Sequence, residues 1–410
     1  MTPAMPLILL CSVFLLFGCS SNTQFELADA ASPYAYQYQW EPGRIYHTRT
    51  GVEVSEQELY DYLSGFTVVY IGESHDSVND HQVQLKILEA LARRFPGEVA
   101  LGLEMLRTDS QAEADRWAAG QLTEKEMMRL WSDNWGAASY PYYREILNFV
   151  RQEGIALVAL NRPQASASAE HGSAADSATP VQPALPPEPD IDRDDPYYEA
   201  YISAFLSGHG NELDPEMRQK FLRAQLLWDE TMADSGARFL KQPASQNKRL
   251  VILAGANHVR YGFGIPRRLF RRLPVNYVIV DPRVVAYTAG SADKLMDVEL
   301  PELPLPVSDI TWMVDYEDLE DQRVTLGVAI APAEDSGVLV REVHAGSPAA
   351  SAGLYAGDVI IGLDGEKVDE MFDLTYQLST KVVGQKGTIT ILRNQETLTM
   401  EISYENYAKS

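Results

Sequence analysis

Between residues 67 and 281, short apolar runs alternate with longer stretches in which apolar residues recur every three or four positions. The runs are 67–71 (TVVYI), 98–105 (EVALGLEM), 155–160 (IALVAL), 249–254 (RLVILA) and 275–281 (VNYVIVD). Runs of this length without polar alternation predict strands buried on both faces. The stretches 81–94, 110–119, 123–131, 143–153 and 215–240 predict helices. In the first of these Val83, Ile87, Leu88 and Leu91 share one face, and Pro96-Gly97 ends it. The alternation predicts an α/β fold: an open, mostly parallel sheet flanked by helices. Residues 301–306 (PELPLP) predict an extended segment and 316–323 an acidic linker. Beyond it the pattern changes to a small mixed β domain over 324–405. Its strands are predicted at 324–330, 337–343, 387–393 and 397–404, with a helix over 372–382. Leu363-Asp364-Gly365 marks a hairpin turn.

Two stretches break the pattern. Residues 164–195 are rich in Ala, Ser and Pro and predict a flexible insertion within a large domain spanning 40–315. At the N-terminus, residues 6–18 (PLILLCSVFLLFG) have signal-peptide length, short for a membrane-spanning helix. They lead into Gly18-Cys19-Ser20-Ser21, which resembles a bacterial lipobox. That resemblance implies removal of residues 1–18, lipid on Cys19 and a polar tether over 19–39. It departs from the pattern in one respect, since the segment MTPAMP carries no Lys or Arg. Ser20 after the cysteine resembles outer-membrane sorting, so the expected location is the cell envelope, lipid-anchored and facing the periplasm.

Composition narrows the partners. Acidic residues outnumber basic ones by 58 − 34 = 24, and a net charge of −24 repels phosphates, so no nucleic-acid partner is expected. Two cysteines, one of them in the leader, exclude a disulfide scaffold and a thiolate zinc site. A length of 410 residues suits two or three domains.

Candidate chemistry gathers where strands end, the place where open α/β sheets bind ligands. The first strand runs into Gly72-Glu73-Ser74-His75-Asp76, the second into Gly102-Leu103-Glu104-Met105, and the fourth into Gly255-Ala256-Asn257-His258. If these strands are neighbours, Glu73, His75, Glu104 and His258 meet at one mouth. Glu73 and His75 share a side if the chain stays extended. Two imidazoles and two carboxylates can hold a divalent metal or transfer protons. His81 and His209 lack such a context and read as surface or core residues. Gln225, Trp228, Asp229 and Met232 lie on one helical face and read as packing.

Two resemblances add to this. The segment GSPAASAGLYAGDVIIGLDGEKV resembles a PDZ domain of the HtrA type. It implies docking of a peptide or protein C-terminus, with Leu326, Gly327 and Val328 in the carboxylate-receiving loop. The motifs GESHD, GLEM, YPYYREILNFVRQEGIALVALNRP, AQLLWDETMA and ILAGANHVRYGFGIPRRL resemble the ChaN-type haem-binding uptake lipoproteins, relatives of the Tiki, TraB and erythromycin-esterase proteins. That resemblance implies haem bound between protomers of a homodimer, its iron held by tyrosine with histidine assisting. Tyr140, Tyr142, Tyr143 and Tyr261 are the candidate tyrosines, and His75 and His258 the histidines. Arg162, Arg260, Arg267 and Arg268 are candidates for the propionates. For the last two, a helix C-terminus closed by cations is an equal reading. The expected function is haem capture in iron uptake. The alternative is a metal-dependent hydrolase, an esterase or peptidase, using Glu73, His75, Glu104 and His258.

Overall fold

The structure, a computed structural model, describes residues 34–163, 189–208, 214–287 and 301–407. Cys19 and its leader, residues 164–188 of the insertion, and His209 lie outside them.

The large domain is built on strands β1 (Ile45–His47), β2 (Val52–Glu53), β3 (Val68–Glu73), β4 (Val99–Arg107), β5 (Ala156–Asn161), β6 (Arg249–Gly255), β7 (Tyr277–Tyr287) and β8 (Ile310–Tyr316). They form one eight-stranded sheet in the order β2-β1-β8-β7-β3-β6-β4-β5. Every pair from β8 to β5 is parallel, while β1 runs antiparallel to both β2 and β8. The expected α/β class therefore holds. The edge formed by β1, β2 and β8 was not anticipated, since two of these strands are too short to show a period.

The central strands are apolar throughout because both faces are covered. On β3, Val69 and Ile71 join one buried cluster and Val68 and Tyr70 the other. Helices α2 (Val78–Arg94), α3 (Gln111–Ala118), α4 (Glu124–Asn134) and α5 (Tyr140–Glu153) follow α1 (Glu56–Leu63) and supply the first face. Helices α7 (Pro215–Lys241) and α8 (Ile265–Arg272), which follow α6 (Pro196–Gly208), supply the second. Each fully buried Val, Leu or Ile contributes about 1.5–3 kcal/mol over exposure. Local signals set the helix ends. Capping boxes open α1 (Ser55/Glu58) and α4 (Thr123/Glu126), Asp214 followed by Pro215 opens α7, and Gly154 closes α5 in the left-handed conformation.

The expected insertion is ordered at its far end. Asp190 pairs with Arg271 (2.7 Å), Asp192 and Asp195 with Arg267 (2.7 and 2.9 Å), and the Asp192 N–H donates to Glu230 (2.8 Å). The acidic linker is likewise packed. Tyr316 belongs to β8, and the Leu319 N–H donates to the Tyr142 hydroxyl at 3.0 Å.

The second domain contains β9 (Val328–Pro332), β10 (Val338–Val343), α9 (Pro348–Ala352), β11 (Val359–Leu363), β12 (Glu366–Lys367), α10 (Met371–Ser379), β13 (Lys386–Arg393) and β14 (Glu396–Ser403). Its sheet runs β14-β13-β11-β10-β9, with β12 beside β11, all antiparallel. A groove of about 300 Å³ lies between β9 and α10, lined by Leu326, Gly327, Val328, Leu374 and Leu378.

The opposite face of α10 is fastened to the large domain. Phe372 and Tyr376 pack against its core, and the Arg129 guanidinium lies 4.2 Å from the Phe372 ring. Lys125 pairs with Asp373 at 2.7 Å, and Arg144 donates to the Ser379 carbonyl and hydroxyl, both at 3.1 Å. Exposed ion pairs contribute little, about 0–1 kcal/mol each, so the two aromatic rings carry most of this contact. The double variant Phe372→Ala/Tyr376→Ala is expected to free the second domain. Limited proteolysis across residues 317–323 should accelerate and the single thermal transition should split into two. An unchanged cleavage rate would count against a fastened interface.

Candidate functional site

The topology makes β3, β6 and β4 adjacent, with Glu73 at the C-terminal end of β3, Glu104 in the last part of β4, and His258 in a single turn after β6. The pairing Glu73↔Gly255 sets the register, and the bare Cα of Gly255 leaves space for its neighbours. A Cβ there would lie 3.1 Å from His75 Nε2 and 3.6 Å from Glu104 Oε2. The four residues singled out in the sequence thus stand around one glycine.

They are organised as two histidine–carboxylate pairs. His75 Nδ1 lies 2.7 Å from Glu73 Oε1, and His258 Nε2 lies 3.4 Å from Glu104 Oε1. Glu104 Oε2 accepts the Gly255 N–H at 2.7 Å. Both carboxylates are buried. The His75 side chain keeps 40% of its surface and His258 10%, so His75 is the more reachable imidazole.

Three further elements complete the network. From α2, Gln84 donates to Glu73 Oε2 (2.6 Å) and His81 stands 3.8 Å from the same oxygen. From α5, the Tyr143 hydroxyl donates to Glu73 Oε1. From α7, Asp229 takes His258 Nδ1 (2.6 Å) and the Tyr198 hydroxyl (2.7 Å). Aromatic rings close the circuit. Trp135 lies 5.1 Å from His75 and 6.4 Å from Trp228, which lies 5.3 Å from His258. Gly264 is required here, because a Cβ on it would sit 2.2 Å from the His258 carbonyl oxygen.

Burial alone would raise the Glu73 pKa. The His75 hydrogen bond and the charges of His81 and His75 outweigh it and bring it to about 2. Burial would lower that of His75, but its bond to Glu73 and the Glu73 charge raise it to about 9. His258 is driven the same way, burial being overcome by Glu104 and Asp229, while Glu104 is held low by His258. Asp80, which accepts from the Ser74 N–H and the Ser77 hydroxyl, is pushed up to about 7 by burial.

Several expectations change. Among the described residues no group of three or more His, Cys, Asp or Glu is arranged to hold a metal ion, and Glu73, His75, Glu104 and His258 stand as two ion pairs. Tyr140 is fully buried, Tyr143 is consumed by Glu73, and Tyr142 is buried with its hydroxyl on Leu319. Of the four candidate tyrosines only Tyr261 is half-buried rather than buried. Its ring stacks on Phe263 (5.6 Å), meets Tyr201 edge-on (5.3 Å), and Phe263 stacks in turn on Tyr197 (6.0 Å). Arg260 pairs with Asp281 (2.8 Å), Arg268 is buried over the Tyr198 ring (4.1 Å), and Arg267 is used by Asp192 and Asp195. Arg162 stands half-buried just after β5. His81, Gln84, Asp229, Tyr198, Trp135 and Trp228 were not recognised as site residues. One signal existed for the first two: Asp80, His81 and Gln84 put polar groups on the buried side of α2.

The paired charges set a pH dependence. His75, raised above its ordinary value, contributes stability that is complete below about pH 6.5 and lost as pH rises through about 9. Glu73, lowered, contributes stability complete above about pH 4.5 and lost as pH falls through about 2. Asp80 acts in the opposite sense, since ionising it as pH rises through about 7 costs stability. Melting temperature should therefore fall between pH 6.5 and 9.5 in the native chain, and fall less steeply in Glu73→Gln, where His75 has lost its partner. Parallel profiles would contradict the pairing.

Comparison with known proteins places this geometry. The family model for haem-binding uptake proteins, Tiki superfamily, ChaN, matches residues 59–269, and the PDZ domain model matches 324–404. The serine protease Do-like HtrA of Bacillus subtilis is 37% identical over 98 residues, 23% of this chain and 21% of that protein. The chloroplastic protein RETICULATA-RELATED 5 of Arabidopsis thaliana is 22% identical over 254 residues, 55% of this chain and 33% of that protein. The chain thus spans a third or less of the length of these relatives. A solved structure of ChaN of Campylobacter jejuni with cofacially bound heme is 18% identical, with a TM-score of 0.48. It covers 65% of this chain and 95% of its own. Since the first family model takes in more than half of the sequence, the chain belongs to the ChaN family of haem-binding uptake proteins and carries a PDZ domain behind that unit.

Proposed function

We propose that this chain is a lipid-anchored haem-binding protein of the bacterial envelope that contributes to haem and iron uptake and docks a partner's C-terminus through its PDZ domain. Membership of the ChaN family over residues 59–269 carries the reading. The donor chemistry fits. A phenol oxygen suits ferric haem iron, and the rings of Tyr261 and Tyr197, each stacked on the buried Phe263, suit a porphyrin. Tyr261 is the candidate ligand, with φ of 57° in the left-handed region. A non-glycine residue held there costs about 1–2 kcal/mol, which the Tyr261 N–H bond to Val307 O (2.8 Å) helps to offset. His75 is the accessible histidine for the assisting role. In this reading haem is bound between two copies of the chain.

A second reading rests on the two facing histidine–carboxylate pairs. Glu73–His75 and Glu104–His258–Asp229 have the composition of a proton-transfer centre, with His75 as the reachable acid or base. This version of the hydrolase reading uses no metal ligand set.

Absorption titration with haemin separates the two. Native chain and Glu73→Gln should both give a high-spin, tyrosinate-type spectrum with a dimer that tightens on loading, and Tyr261→Phe should lose it. If haemin binds no better than to an unrelated acidic protein while Glu73→Gln or His258→Ala abolishes cleavage of an ester or peptide substrate, the haem reading is wrong.

The anchor is tested separately. A diacylglycerol together with an N-acyl chain on Cys19 meets the two-chain requirement for stable attachment. Cys19→Ser should release the protein to the periplasm or leave it uncleaved. A processed variant that still needs detergent for extraction would rule out Cys19 as the anchor.

A further inference from the structure

The loop Thr325–Val328 that opens the PDZ groove is covered by the chain's own segment after β14. The Thr325 N–H donates to the Glu405 carbonyl at 3.0 Å. The Thr325 hydroxyl accepts the Tyr407 N–H at 3.0 Å and donates to the Tyr407 carbonyl at 2.9 Å. Farther along the side chain, the Tyr407 hydroxyl donates to the Ala345 carbonyl at 3.1 Å, and its ring lies 6.1 Å from that of His344. Asn406 reaches the Glu320 carbonyl on the linker. Tyr407 is thus fixed from several directions rather than resting on the surface.

Its position matters for the groove. Gly327 has φ of 68°, and a Cβ on it would lie 2.9 Å from Tyr407 Cδ1. The tyrosine ring is therefore packed against the glycine of the carboxylate-receiving loop, and it lines the same groove as Leu326, Val328, Leu374 and Leu378. The strand and helix walls are mainly aliphatic, with Leu326, Val328, Ile330, Leu374 and Leu378 beside Thr375 and His344, and favour an apolar side chain. The ring stands in the groove beside Gly327 of the loop expected to receive the terminal carboxylate, where its bulk would limit the length of the terminal side chain.

We propose that Tyr407 is the specificity-determining end wall of the peptide groove, restricting it to partners whose C-terminal residue is apolar and short, such as Ala or Val. The inference rests on the peptide-docking reading above and adds a selectivity that comes from outside the two groove walls. Pre-positioning of the ring by Thr325 and Ala345 means that ordering this side chain adds no cost when a peptide binds.

The test is fluorescence anisotropy of the full chain in detergent with four labelled peptides, identical except for a terminal Ala, Val, Leu or Phe. The native chain should bind the Ala and Val peptides at least tenfold more tightly than the Leu and Phe peptides. Tyr407→Ala should bring the four within about threefold or reverse the order. Tyr407→Phe, which keeps the ring and loses only the Ala345 bond, should retain the native preference and so separates wall from fold. A preference of tenfold or more for the Ala and Val peptides retained in Tyr407→Ala would overturn the role of Tyr407 alone. No binding of any peptide by any of the three proteins would overturn the docking reading itself.

Discussion

A carboxylate buried at the end of a central strand governs the large domain. Glu73 is buried, its charged neighbours among the described residues are His75 and His81, and an isolated buried charge is expensive. Its two oxygens are satisfied by His75 from the turn after β3, Gln84 from α2 and Tyr143 from α5, with His81 close by. Strand, turn and two helices are thereby tied to one group. Removing any partner leaves a buried acceptor or charge short of its bonds, at a cost of about 1–3 kcal/mol or more. The same accounting holds across Gly255, where Glu104 is paired with His258 and a backbone N–H, and His258 with Asp229. The matching ties the mouth together and leaves His75 as the more accessible of its two paired imidazoles.

How much of this could be read in advance follows from where the information lies. Five of the six parallel strands were legible because burial on both faces removes polar residues, and the motifs at their ends were legible because glycine and ionisable residues interrupt apolar runs. Neighbouring strands brought Glu73, His75, Glu104 and His258 together as the spacing suggested. Asp229 was not legible. It sits on a helix with Met232 and Trp228, and only the fold shows that its carboxylate meets His258. The arginines illustrate the converse. Arg267 and Arg268 looked available for an anionic ligand, but local sequence cannot show that Asp192, Asp195 and Glu230 return from other segments to meet them. Strands β1 and β2, of three and two residues, carry no period at all.

Helix α10 shows how one short element can serve two domains. Leu374, Thr375 and Leu378 face the groove while Phe372, Tyr376 and Ser379 face α4 and α5. A helix of nine residues contributes little stability of its own, so its position is set by these two contacts. The groove is consequently held in fixed register to α4 and α5, the helices that also bring Trp135 to His75 and Tyr143 to Glu73.

That arrangement bears on the choice between capture and catalysis. A hydrolytic site needs its proton-transfer group, its second charged pair and its substrate in one place, and here Trp135 and Trp228 stand between the two histidines, narrowing the opening. Glu73 and Glu104 are buried and offer no surface to a large planar ligand. Such a ligand does have aromatic rings to lie against at Tyr197 and Tyr261, which stack on the buried Phe263 and are carried by α6 and the turns between β6 and α8. In the haem reading the buried ions act as the frame that fixes these turns, and the aromatic surface is the part that meets the ligand. This division assigns Glu73 a structural part and Tyr261 a binding part, which is why the spectra of their variants, rather than their stabilities, distinguish the two readings.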